Sequence, residues 1–245
     1  MGQENKKVRI NVNLFDIEGE KFVNKEFAIT ATNLTTVLDA LIHIKETHDP
    51  ELSFRYSCRM GICGSCAMVI DGKPRLACET LVTEMSSNLT VAPIMVQPTL
   101  KGLVTDFDDF FEKHKSVMPW LVRNDQKEKY DAKNLYPQTD IQRDTYLPFA
   151  ECIKCGLCLD ACPVENTNKD FVGPQALAQA YHYITDSRDQ GKAVRLEKLD
   201  TLDGIWGCEF SGSCSKVCPK SVDPALAIQL LKSEVAKYRL SGSKK

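Results

Sequence analysis

Eleven cysteines stand in this 245-residue chain, and they fall into three groups. Cys58, Cys63, Cys66 and Cys78 form the first, Cys152, Cys155, Cys158 and Cys162 the second, and Cys208, Cys214 and Cys218 the third. An odd number cannot all be paired in intramolecular disulfides, which are a poor expectation in a reducing compartment anyway. None of the four histidines, at 43, 48, 114 and 182, lies within a few residues of a cysteine, so mixed Cys/His zinc sites of the finger type do not fit. Thiolate-only metal centres remain.

In the first group four residues separate Cys58 from Cys63, two separate Cys63 from Cys66, and eleven precede Cys78. This is the plant-type spacing of a [2Fe–2S] centre with a distant fourth ligand. Three thiolates must converge from one loop, and Gly61 and Gly64 let it take conformations closed to other residues. Small residues also let backbone N–H groups approach the anionic sulfurs. A zinc site or a set of buried free cysteines is the plain alternative. Arg55 and Arg59 fit three roles: tuning the cluster, pairing with a partner subunit, or standing as solvated charges.

The second group, Cys152 to Cys162 followed by Pro163, has spacings of two, two and three, the bacterial ferredoxin run. Counting back from Cys218-Pro219, the same template expects cysteine at 208, 211, 214 and 218, and position 211 is serine. In two-cluster ferredoxins the fourth cysteine of each run ligates the other cluster. Cys152, Cys155 and Cys158 then take Cys218 and hold a [4Fe–4S] cluster. Cys208 and Cys214 take Cys162, and three thiolates suit a [3Fe–4S] cluster. Four, four and three use all eleven cysteines. The competing possibility is that Ser211 supplies an alkoxide to a second [4Fe–4S] cluster, against which stands the low acidity of a hydroxyl beside a thiol. Gly156 and Gly212 fit the role of the first-loop glycines, and Pro163 and Pro219 also read as ordinary turn punctuation.

These loops need elements to hold them. Val8, Ile10, Val12 and Leu14 alternate as a half-buried strand does, and Phe22 to Ile29 reads as its hairpin partner across Glu18-Gly19-Glu20. Thr35 or Thr36 can cap a helix carrying Val37, Leu38, Leu41 and Ile42, which Pro50 would stop. Ala67 to Ile70, Asp71-Gly72 and Lys73 to Ala77 form a tight hairpin, and Leu89 to Pro93 a closing strand. From about residue 105 the pattern turns helical. Val104 to Lys115 reads as one helix. Gly173-Pro174 opens another through Ala176, Leu177, Ala180 and Tyr181, and Asp223-Pro224 a third carrying Leu226, Ile228, Leu231 and Val235. The polar stretch Arg123 to Gln142 reads as a surface connection. The expectation is an α+β chain of two domains, 1–105 with the [2Fe–2S] centre and 106–245 with the [4Fe–4S] and [3Fe–4S] centres.

A formal net charge of -2 provides no global field for nucleic acid, and no nucleic-acid partner is expected. No apolar run approaches the ~20 residues of a membrane span. The polar start Met1 to Lys7 lacks the apolar stretch of a signal peptide, so the chain is expected to stay in the cytoplasm. There is no GxGxxG, P-loop or nucleophile elbow. Such a chain conducts single electrons between a two-electron catalyst and a second acceptor.

The segments Ser57 to Cys66, Cys152 to Pro163, Asp170-Phe171-Val172-Gly173-Pro174 and Trp206 to Lys220 resemble the iron–sulfur subunit of succinate dehydrogenase and quinol:fumarate reductase. Asp186-Ser187-Arg188-Asp189, Asp223-Pro224 and Ile228-Gln229 are closer to the bacterial fumarate reductase branch. The resemblance implies a plant-type ferredoxin β-grasp domain followed by an α-helical bacterial-ferredoxin-like domain. It implies a flavoprotein subunit carrying FAD, an integral membrane anchor and a quinone as partners, and allows haem b on the anchor. It implies a peripheral place on the cytoplasmic face of the membrane, with Phe210, Gln229 and Lys232 near the quinone. The plain alternative for Lys232 is an exposed helix lysine. Ubiquinone-type relatives carry a Trp shortly after the cysteine matching Cys162. Here Pro163-Val164-Glu165-Asn166-Thr167 has none, which favours menaquinone. A soluble electron carrier and a quinone-independent fumarate reductase are the alternative functions.

Overall fold

The computed structural model describes residues 6–125 and 135–242. The polar start before Lys6 and residues 126–134 of the expected connection lie outside the described residues. The chain divides into two compact units. One runs to Phe107 and includes Ile153–Ala161, and the other comprises Asp108–Cys152 and the chain from Cys162 onward. The grouping departs from the expected division near residue 105 in this returning segment. Asp160 accepts bonds from the backbone N–H groups of Met95 (2.7 Å) and Val96 (3.1 Å), which ties the segment to the first unit.

The first unit is built on a five-stranded mixed sheet. Strands β1 (Lys6–Asp16) and β2 (Lys21–Ala31) form an antiparallel hairpin in which Val8 faces Ile29 and Asp16 faces Lys21. The alternating Val8, Ile10, Val12 and Leu14 are all buried. Helix α1 (Val37–Thr47) follows. Its N-cap is Thr36, whose Oγ1 accepts from Asp39 N–H while the Asp39 carboxylate accepts from Thr36 N–H, a reciprocal capping box. Val37, Leu38, Ala40, Leu41 and Ile44 form its buried face, and Ile42 is only half-buried. β3 (Ala67–Ile70) and β4 (Lys73–Leu76) turn at Asp71-Gly72, and β5 (Asn88–Ala92) completes the order β2-β1-β5-β3-β4. β5 runs parallel to β1 and antiparallel to β3. Asp71 fastens β5 to this hairpin by accepting from Thr90 N–H at 2.8 Å.

The expected helix from Val104 begins later. β6 (Thr99–Lys101) and β7 (Val104–Thr105) pair as a short ribbon, and α2 runs Asp108–Ser116. Asp108 and Asp109 in its first turn favour a start there, where carboxylates meet the positive end of the helix.

The second unit is helical. α3 (Asp140–Ala150) begins within the last residues of the stretch expected as connection and runs on beyond it. Thr139 and Gln142 form a capping box beneath an otherwise polar composition, and that local signal starts the helix. The one-turn α4 (Leu157–Asp160) belongs to the first unit; α5 (Pro163–Thr167), α6 (Pro174–Thr185), α7 (Lys192–Leu199), α8 (Ser213–Lys216) and α9 (Pro224–Leu240) complete the second. α6 packs on α3 and α9. Phe171, Leu177, Leu196, Ile205, Ile228 and Leu231 are at the centre of its core. Asp223 caps α9 through Leu226 N–H, but the Leu226 side chain is 47% exposed. The inward stripe of α9 is Ala227, Ile228, Leu231 and Val235, and Leu226 lies off its helical period.

Arg195 on α7 is fully buried. It pairs with Asp189 at 2.6 Å and donates to the carbonyls of Val117, Met118 and Trp120. Removing one partner of a buried ion pair costs about 3–5 kcal/mol, because the other charge is left without compensation. Arg195→Met is expected to lower the denaturant midpoint of this unit by a corresponding amount. Fluorescence of Trp120 and Trp206, both in this unit, follows the transition; an unchanged midpoint counts against the role of the pair.

Candidate metal centres

The loop between Cys58 and Cys66 turns its backbone amides toward sulfur. Ile62 and Cys63 N–H donate to Cys58 Sγ at 3.3 Å, and Met60 N–H does so at 3.5 Å. Gly61 N–H reaches Cys78 Sγ at 3.3 Å, and Cys58 N–H reaches Cys63 Sγ at 3.5 Å. This curl needs left-handed backbone at Arg59 (φ 58°), Gly61 (φ 67°) and Gly64 (φ 74°). Cys78 is carried back by the β3–β4 hairpin. The segment around it is fastened to α1, where Val37 and Leu38 N–H donate to the Thr80 and Ala77 carbonyls. Cys63 thus lies with Cys58 and Cys66 with Cys78, and N–H donors face Cys58, Cys63 and Cys78, a donor set suited to an anionic [2Fe–2S] cluster. The two arginines stack on aromatic rings, Arg59 over Tyr56 at 5.4 Å and Arg55 over Phe107 at 6.0 Å.

The thiols differ sharply in acidity. The Ser65 hydroxyl, with backbone N–H groups, brings Cys63 down to about 6. Burial pushes Cys66 up to about 12. A thiol that stays protonated at neutral pH becomes a ligand only by giving its proton up to the metal, so loading this site releases protons.

The second and third cysteine runs share one local shape. Lys154 (φ 55°) and Phe210 (φ 57°) are left-handed, as are Gly156 (φ 81°) and Gly212 (φ 71°), and a four-residue helix follows each glycine. Ser211 therefore occupies the backbone position that Cys155 occupies in its own run.

The cysteines of the second unit separate into two places. Cys162, Cys208 and Cys214 line one recess, together with Phe210 and Ser211. Burial pushes Cys214 up to about 11 and raises Cys162, against the N–H groups of Glu165 and Val164 that favour its thiolate. Cys152 and Cys218 instead pack against Phe149, Ala178, Val222 and Ala227. Cys155 and Cys158 flank Gly156 in the first unit. Among the described residues no three His, Cys, Asp or Glu side chains close around a single metal ion.

Around the recess, Lys232 Nζ donates to the Cys208 carbonyl at 3.0 Å and lies over the Trp206 ring at 5.9 Å. Lys232 is half-buried, and Phe210 is 59% exposed. Gln229 Nε2 is buried without a partner. Two polar residues escaped the sequence reading. Glu165 is buried and paired with Lys113 at 3.0 Å, and Gln175 reaches Cys152. Neither has a spacing signal, since both contacts come from chain segments far apart in sequence.

Residues 9–112 match the family described as a 2Fe-2S iron-sulfur cluster binding domain, and residues 148–222 match the 4Fe-4S dicluster domain. The fumarate reductase iron-sulfur subunit of Mycobacterium tuberculosis is 45% identical over 215 residues, 87% of this chain and 86% of that protein. The Escherichia coli O6:H1 fumarate reductase iron-sulfur subunit is 40% identical over 235 residues, 96% of this chain and 95% of that one. The chain belongs to the fumarate reductase and succinate dehydrogenase iron–sulfur subunit family. A rice mitochondrial succinate dehydrogenase [ubiquinone] iron-sulfur subunit is 41% identical over 80% of this chain and 69% of its own length. A chain of the Mycobacterium smegmatis Sdh1 complex has the same fold, with a TM-score of 0.87 at 24% identity over 97% of this chain and 98% of that one. This iron–sulfur subunit is thus an electron-transfer chain with a [2Fe–2S] domain followed by a dicluster domain.

Gly64 is where the first loop comes closest to another stretch of backbone. A Cβ there would stand 2.8 Å from Cys155 Cβ and 3.0 Å from Cys155 Cα, whereas one at Gly72 would meet nothing within 4 Å. Both glycines have positive φ, so alanine strains the backbone at each, by about 1 kcal/mol. Gly64→Ala is expected to lose the [2Fe–2S] visible and EPR signals, and Gly72→Ala to keep them. Equal retention in both would show that close approach at Gly64 is dispensable.

Proposed function

We propose that this subunit conducts electrons between the FAD of a flavoprotein subunit and a quinone held at an integral membrane anchor. The parent complex is a succinate dehydrogenase or fumarate reductase of the quinone-linked class (EC 1.3.5.1), set on the cytoplasmic face of the membrane. Among the described residues no helix is long and apolar enough to cross a membrane. The anchor, and any haem b, belong to partner chains in this proposal.

The ligand sets are Cys58, Cys63, Cys66 and Cys78 for [2Fe–2S], Cys152, Cys155, Cys158 and Cys218 for [4Fe–4S], and Cys162, Cys208 and Cys214 for [3Fe–4S]. Such clusters, when bound, supply one-electron storage at each station. The observation that carries the proposal is the sorting of the thiols. Cys162 leaves its own run to share a recess with Cys208 and Cys214, while Cys218 sits beside Cys152. Backbone packing supports an order as well, since Gly64 of the first loop abuts Cys155 in the first unit.

The recess supports a quinone-side role for Phe210, Gln229 and Lys232. Lys232 is held by the Cys208 carbonyl, Gln229 keeps an unspent buried N–H donor, and Phe210 presents an apolar ring. Menaquinone is the proposed quinone, since no Trp follows Cys162 in α5.

Three experiments test this. Air-oxidised complex with full iron content is expected to show the EPR signal of an oxidised [3Fe–4S] cluster; its absence would reject the three-thiolate set. Ser211→Cys is expected to convert that centre to [4Fe–4S], erasing the signal and lowering its potential. Lys232→Met is expected to slow electron exchange with menaquinol at least tenfold while the [3Fe–4S] signal stays intact. A wild-type rate would remove Lys232 from the quinone side.

A further inference from the structure

Gln175 stands in the first turn of α6, directly after Pro174, and is 2% exposed. Its Nε2 lies 3.8 Å from Cys152 Sγ, within reach of a sulfur acceptor, and 3.2 Å from His114 Nδ1. His114 is also buried. Both contacts are made by the same amide nitrogen, which carries two hydrogens. Its own Oε1 is buried with no partner. The opposite orientation of the amide would set Oε1 against a cysteine sulfur that becomes anionic on ligation, so the N–H side faces Cys152. A buried amide with an orphaned carbonyl costs stability that an apolar residue of the same volume would not. The core that Cys152 packs against, Phe149, Ala178, Val222 and Ala227, is apolar.

We infer that Gln175 is a positioning residue that raises the reduction potential of the cluster bound by Cys152, through an N–H···S bond to that ligand. This rests on the proposed ligand set, in which Cys152 holds [4Fe–4S]. An electron added to a cluster increases the negative charge on its sulfurs, and a hydrogen bond to sulfur therefore favours the reduced state. His114 takes the other amide hydrogen and fixes the rotation of the carboxamide.

The test uses the assembled complex and an EPR-monitored redox titration. Gln175→Leu is expected to shift the one-electron equilibrium of [4Fe–4S] by about tenfold toward the oxidised form, ~59 mV. The potentials of [2Fe–2S] and [3Fe–4S] are expected to stay at their wild-type values. A second measurement needs no variant. Wild-type complex labelled with ¹⁵N at glutamine side-chain amides is expected to show a nitrogen hyperfine coupling on the reduced [4Fe–4S] signal. An unshifted potential in Gln175→Leu, or no such coupling in the labelled wild type, would overturn the inference. Cys152→Ser separates this from the underlying assignment. If [4Fe–4S] persists unaltered in that variant, the ligand set fails. If it is lost or altered while Gln175→Leu titrates as wild type, only the role of Gln175 fails.

Discussion

The structure turns on one electrostatic constraint: the thiols that the proposed ligand sets require as anions are placed where burial opposes their charge. Burial, reinforced by neighbouring thiols, pushes Cys66 up to about 12 and Cys214 up to about 11. Oriented backbone N–H groups offset this in the protein, and bound iron supplies the rest. Amides reach a sulfur only when the chain curls tightly, which explains the left-handed residues at Arg59, Gly61 and Gly64. Such curls are strained and need rigid neighbours. The β3–β4 hairpin and the capped start of α1 provide them for the first loop.

The same constraint was met twice in the dicluster region by one backbone solution. Lys154 with Gly156, and Phe210 with Gly212, turn alike and lead into matching one-turn helices. Loop shape here is set by those backbone angles and by the helix that follows. A thiol can therefore be exchanged for a hydroxyl at Ser211 without loss of the fold. The chemistry of the centre and the conformation that holds it are separable at that position.

Much of the architecture was legible in the sequence. Alternation exposed β1, the Thr35-Thr36 pair announced α1, Asp71-Gly72 located a hairpin, and Gly173-Pro174 and Asp223-Pro224 opened α6 and α9. These are local signals, read within a few residues of where they act. Failures came where a local pattern had a rival. Val104 and Thr105 fit a helical period but pair with β6. Leu226 looked like part of an apolar stripe but points outward. The polar composition before α3 concealed the Thr139–Gln142 capping box.

The cysteine runs, the loop shape and the serine at position 211 were determined by the sequence itself, because spacing and glycine placement act over a turn or less. Tertiary structure decided which sulfurs share a recess and which buried groups reach them. Cys162 meets Cys208 and Cys214, and Gln175 meets Cys152, only after helices distant in sequence have packed. Those contacts depend on where the chain returns in space, and no short-range pattern encodes that.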